Sequence, residues 1–198
     1  MRFPAVILFV AGVAFAQQPT PFSVIEVSRQ VDATGKVTAE SRFLFATNHD
    51  GSIALVDLDP AAGGVRQIID VVKHRTILVN PQSRNATISP NGVAPLEPRD
   101  ACEQRFRKIL HAVVSVDRSA GVVQGVALHR ISVTLPQGTT MDILVAPSLG
   151  CHMLQVQNRR NGVVSETRAY ENLQINDPAP SFFEVPTDYQ VTEVAYAR

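Results

Sequence analysis

No tryptophan occurs in the chain, and phenylalanine and tyrosine together make up only 6% of its 198 residues. Platforms that bind sugars depend on stacked rings, so a carbohydrate-binding surface is not expected. Charge of either sign is not in excess, since 18 lysines and arginines balance 18 aspartates and glutamates. Without a net field or a basic stripe interleaved with aromatics, nothing would draw in nucleic acid or an anionic membrane face. Apolar runs are short, and none reaches the ~20 residues of a permanent membrane helix. Catalytic signatures are missing too. Ser148 sits in Pro-Ser-Leu-Gly and not in a Gly-x-Ser-x-Gly elbow. Gly63-Gly64 precedes no helix, as a phosphate cradle would require. Asp57, Asp59 and Asp70 lack the further oxygen ligands of a calcium loop, and carboxylates beside Pro60-Ala61-Ala62-Gly63-Gly64 read as turn formers. No residue stands out as catalytic, and the expectation is a protein without enzymatic activity or cofactor.

What is present begins with a leader. Arg2 supplies a positive end, Pro4 to Val13 an apolar run, and Ala14-Phe15-Ala16 the small residues a signal peptidase reads. Cleavage after Ala16 is expected, so residues 1–16 are a signal peptide and 17–198 a single β-rich domain. Residue 17 is Gln, which offers no cysteine for a lipid anchor. The destination is the periplasm or the exterior, with no transmembrane segment after cleavage. There the only two cysteines, Cys102 and Cys151, meet oxidising conditions, and a bridge between them is expected.

The remaining pattern is that of strands broken by turns. Short β-branched stretches occur at 23–28, 36–47, 53–56, 65–72, 75–80 and 85–89, with Asp32-Ala33-Thr34-Gly35 and Asp50-Gly51 as turns. Phe43 and Phe45, two apart, share one strand face. Three prolines and a glycine between Pro90 and Pro98 form a linker. An Asp-x-x-Glu pattern at Asp100 and Glu103 then opens a helix on which Cys102, Phe106, Ile109, Leu110 and Val113 recur at helical spacing. Strands resume at 122–124, 126–134, 141–146, 151–157 and 163–175, with Asn161-Gly162 as a hairpin. Ile131 and Val133 alternate with Arg130, Ser132 and Thr134, as on a strand with one wet face. The expected fold is mainly β (α+β): a meander, a crossing helix and a second meander, forming an antiparallel curved sheet or half-barrel around one amphipathic helix.

The closing stretch Asn172-Leu173-Gln174-Ile175-Asn176-Asp177-Pro178-Ala179-Pro180-Ser181-Phe182-Phe183-Glu184-Val185-Pro186-Thr187-Asp188-Tyr189 resembles the ending of exported bacterial, acidobacterial-type proteins of unassigned role. It is also distantly similar to that of lipoprotein-carrier (LolA/LolB-like) half-barrel proteins. Asp50-Gly51, Val56 to Gly63, and Ile69 with Asp70 are arranged as in the exported group. The chain departs from it at Phe182 and in Asp-Pro-Ala-Pro. The group carries no catalytic residues to transfer. Pro178 and Pro180 would stop a strand, Phe182 or Phe183 plug an open sheet end, and Pro186 with Tyr189 tether the last turn.

The carrier resemblance implies a binding module for an apolar ligand such as a lipid. Its pocket would be lined by Phe43, Phe45, Phe106, Ile109, Val113, Ile131 and Val133. The competing expectation is a structural or protein-interaction component of the cell envelope with a filled interior, its partner another envelope protein. A metal site drawn from Cys102, His111, Cys151 and His152 is disfavoured. On a helix nine residues turn the chain by about 900°, which points Cys102 and His111 apart, and neighbours on a strand face opposite ways.

Overall fold

The computed structural model describes residues 19–90, 102, 113–135 and 138–194. The expected leader, the linker after Pro90 and most of the expected helix, including Phe106 and Ile109, lie outside the described residues. Twelve strands form one sheet: β1 (Phe22–Val31), β2 (Val37–Thr47), β3 (Ile53–Asp57), β4 (Arg66–Asp70), β5 (Arg75–Asn80), β6 (Asn85–Pro90), β7 (Val113–Val123), β8 (Val126–Thr134), β9 (Thr139–Ala146), β10 (His152–Arg160), β11 (Val163–Gln174) and β12 (Gln190–Glu193). Their order is β12-β6-β5-β4-β3-β2-β1-β11-β10-β9-β8-β7, a curved and open sheet. Each meander is built from short-range hairpins, and the antiparallel pairing of β1 with β11 welds the two together.

Local chemistry accounts for the hairpins. Asn161 and Gly162 both take positive φ, 52° and 80°, the geometry that twists two strands into register. At the first turn Asp32 Oδ1 accepts from the Thr34 and Lys36 N–H groups. These bonds hold the Asp32 carboxyl below its usual range, with the Thr34 hydroxyl as the strongest cause. Asp59 caps a short 3-10 turn at Pro60–Ala62 through the Ala61 N–H, and Asp57 Oδ1 accepts from the Asp59 N–H, so both act as turn formers.

One expected element is corrected. Val113 does not end a helix; it begins β7, whose Val114 and Val116 face Val133 and Ile131 on β8. Three valines in four residues lose side-chain freedom in a helix but pack well on a pleated surface, and here pairing outweighs the helical spacing. Cys151 is likewise not part of a strand: it takes φ 63° just before β10.

Register divides the sheet into two faces. On the front, one row runs Val116, Ile131, Ile143, Val156, Arg168, Ser28, Ser41 from β7 to β2. Its first four members are apolar and its last three polar. The apolar half is covered, since Cys102 is helical and buried there among Val114, Ile131, Val133, Ile143, Val145 and Val156. A disulfide joins it to Cys151, with Cα atoms 5.4 Å apart. β6 and β7 lie near opposite ends of the strand order, and Cys102, between them in sequence, is buried on the front.

The back of the other half is covered from the C-terminus. Ile68, Ile77, Val79 and Ala86 pack there with Ile88, Val185 and Tyr189. Arg66 donates from Nη1 to Ser181 O (2.6 Å) and from Nη2 to Glu184 O (2.8 Å), Arg84 pairs with Asp188, and β12 then adds in parallel to β6. Val185 and Tyr189 carry this packing, while Phe182 and Phe183 remain half-buried in a 3-10 turn. The tether expected of Pro186 and Tyr189 is present as a bond from the Tyr189 N–H to Pro186 O.

Candidate functional site

With one half of the front covered and the other half covered only behind, the front of β1 to β5 is where a cleft opens. Its volume is about 460 Å³, and Glu26, Ser28, Ser41, Phe43, Leu55, Asp57, Val65, Gln67, Leu78 and Arg168 line it. Six strand positions two residues apart produce this wall: Glu26 and Ser28, Ser41 and Phe43, Leu55 and Asp57. Pairing sets them side by side, Glu26 opposite Phe43 and Phe43 opposite Asp57, with Leu55, Gln67 and Leu78 in the next row. Phe43, Leu55 and Val65 are half-buried and Leu78 is 49% exposed, so the apolar floor is open to a ligand.

Beside the cleft, next to Glu26, lies an aromatic and ionic cluster. Phe45 stacks on Phe22 with centroids 5.5 Å apart, and the His152 ring lies 4.3 Å from Phe45 and 5.0 Å from Phe22. His152 Nε2 stands 3.0 Å from Glu26 Oε1, near enough for an ion pair when the ring is protonated, though poorly aligned for a hydrogen bond. Arg168 Nη1 is 4.0 Å from Glu26 Oε2 while its Nη2 is 3.9 Å from Glu166 Oε1, so the guanidinium is shared between two carboxylates.

The residues singled out from the sequence separate into groups. Phe43 is in the cleft wall, and Phe45 lies beside it in the aromatic cluster with Phe22. Ile131 and Val133, 0% and 1% exposed, are packed beneath Cys102 in the other half of the sheet. Val113 is on edge strand β7, and nothing is described of its side chain; Phe106 and Ile109 lie outside the described residues. Glu26, Ser28, Ser41, Leu55, Val65, Gln67, Leu78 and Arg168 were not anticipated. The usable signal was the polar alternation Glu26, Ser28 within an otherwise β-branched strand, which marks positions left without an apolar cover.

Among the described residues no group of three potential ligands converges on a metal. Cys102 and Cys151 are consumed in the disulfide, and His152 packs against rings; His111 lies outside the described residues. No helix among the described residues is long and apolar enough to cross a membrane.

The class these features define is an open, mainly antiparallel 12-stranded sheet with a covered half and an amphiphilic cleft. No protein-family model matches the chain, and no curated protein does. Among solved structures, an uncharacterized conserved protein from Thermus thermophilus is similar over 88% of this chain and 91% of its own, with TM-score 0.54 and 11% identity. That likeness is one of fold. MucB is 14% identical over 89% of this chain, which spans 61% of MucB, with TM-score 0.46. A LolA superfamily protein from Nitrosomonas europaea is 10% identical over 86% of this chain and 91% of its own, with TM-score 0.38.

Proposed function

We propose that the chain is an exported, non-enzymatic binding module of the lipoprotein-carrier kind, released after Ala16, that holds an amphiphilic lipid-like ligand in the front cleft. The observation that carries this reading is the 460 Å³ cavity with Phe43, Leu55, Val65 and Leu78 as an apolar floor beneath polar walls. A cavity of a few hundred Å³ with a few convergent polar groups is the usual form of a small-molecule site. The polar lining narrows the earlier expectation of a purely apolar ligand, because Glu26, Asp57 and Arg168 would lose hydration to hydrocarbon with nothing in return. The disulfide and the Ala14-Phe15-Ala16 leader both favour an exported protein.

Native mass spectrometry of protein purified from the periplasm tests this directly. A co-purifying amphiphile of one chemical class, lost from a Phe43→Asp variant that keeps its fold, is expected. Ligand-free protein that also fails to bind any added amphiphile would overturn the reading.

A further inference from the structure

We infer that the front cleft selects amphiphiles with a cationic head, an amine or quaternary ammonium, seated between the Phe43 ring and the Asp57 carboxylate. This deepens the binding-module reading and rests on it. The argument is one of charge. Two carboxylates, Glu26 and Asp57, line the cleft against a single guanidinium, Arg168. That guanidinium already stands between Glu26 and Glu166, at 4.0 and 3.9 Å, so an incoming anion finds no cation to itself. Glu26 also has the His152 ring beside it, with Nε2 3.0 Å from Oε1. Asp57 differs: among the described residues its Oδ1 accepts a backbone N–H, from Asp59, and no described cation is paired with it.

Asp57 also has the right neighbour. Phe43 lies directly opposite it on the adjacent strand, a pairing that sets the two Cβ atoms ~5 Å apart. A ring face attracts a cation that a carboxylate neutralises, and the two contributions add. From that point Leu55, Val65 and Leu78 continue the floor, so a hydrocarbon tail attached to the cation has apolar surface to lie on. The wall is therefore an amphiphile's complement with the sign of the head specified.

The test is a titration of the full, oxidised chain with three C12 amphiphiles below their critical micelle concentrations: dodecyltrimethylammonium, dodecanoate and dodecyl maltoside. The cationic compound should bind about tenfold more tightly than either of the others, the combined effect of a half-exposed ion pair and a cation–ring contact. Asp57→Asn keeps the oxygen that receives the Asp59 N–H, so the turn is retained, and it should erase that preference by weakening dodecyltrimethylammonium binding about tenfold. Equal or tighter binding of dodecanoate or the maltoside, or a preference that survives Asp57→Asn, would overturn the inference and leave the binding-module reading standing. Failure of all three compounds to bind would overturn both.

Discussion

Breaking the Cys102–Cys151 bond is the perturbation with the largest effect that can be worked out from the structure. The two cysteines are 49 residues apart in sequence, and a cross-link closing a loop of that size restricts the unfolded chain by about 4 kcal/mol in the chain-entropy treatment. For a protein of this size about 1 kcal/mol corresponds to 2–4 °C in Tm, so the midpoint should fall by roughly 8–16 °C on reduction. Cys102 is 3% exposed and sits among Val114, Ile131, Val133, Ile143, Val145 and Val156, so the folded state retains that contact once the bond is gone. The loss should therefore appear as an earlier, still cooperative transition. Differential scanning calorimetry with and without reductant reads it, and a Cys102→Ala/Cys151→Ala variant should melt early and identically in both buffers. A wild-type midpoint that moves by less than about 2 °C on complete reduction would refute the reasoning.

One core position and one cleft position should respond in opposite ways. Ile131→Ala, at a site with no exposure, should cost about 3–4 kcal/mol by urea denaturation and leave amphiphile affinity per folded molecule unchanged. Phe43→Ala, at a half-buried site, should cost about 1–2 kcal/mol and weaken amphiphile binding at least fivefold. Arg66→Ala removes both bonds to the Ser181 and Glu184 carbonyls and should cost about 1–2 kcal/mol; hydrogen exchange should rise across 181–193 more than in β1 and β11. Burial of the Asp70 carboxyl, which alone would raise its pKa, is outweighed by the Lys73 N–H and the Arg75 guanidinium at 2.9 Å. A carboxyl held below its unfolded value stabilises above the unfolded pKa of ~3.9, and that stability is lost as pH falls through the folded value. Asp70→Asn should accordingly be about 0.5–1 kcal/mol less stable than wild type at pH 7, with the gap closing below pH ~4 in denaturation curves.

How far the chain is legible follows from the range of the interactions involved. Strands β1 to β6 and β8 to β11 are visible in the sequence because each hairpin is local, and its turn residues, Asp32 to Gly35 or Asn161-Gly162, act within a few positions. β7 is visible only at its far end, 122–124: Val113 fits the helical spacing of Phe106 and Ile109, and only its pairing with Thr134 shows it to be strand. β12 is a parallel four-residue strand beside β6 and more than a hundred residues from it, joined by a segment whose anchors are main-chain carbonyls taken by Arg66. Carbonyls leave no trace in a sequence. The disulfide is readable because two cysteines allow a single intramolecular pairing. The cleft is readable only at Phe43, since bringing Glu26, Asp57 and Arg168 to one wall requires the register of four strands at once.

Why the cleft falls where it does follows from how the sheet is covered. A 12-stranded sheet presents two faces at each end, and among the described residues Cys102 is buried on the front of β7 to β10 while the C-terminal strap packs on the back of β3 to β6. Residues beneath them are uniformly apolar, as Ile131, Ile143 and Val156 are in front and Ile68, Ile77 and Val79 behind. Had the front of β1 to β5 been meant for a third covering, the same alternation should have put valine or isoleucine at 26, 28, 41 and 57. Those positions hold Glu, Ser, Ser and Asp instead, alongside Phe43 and Leu55 that a fully solvated face would not require. Neither a packed core nor a plain wet surface calls for that mixture, whereas the proposed removable amphiphile would. Replacing Ser28 and Ser41 together by valine should extend the apolar floor, tighten dodecyl maltoside binding severalfold and leave the fold intact, because both side chains face the opening and take part in none of the described hydrogen bonds or salt bridges. Unchanged or weaker maltoside binding in that variant would show that the ligand does not lie along this wall.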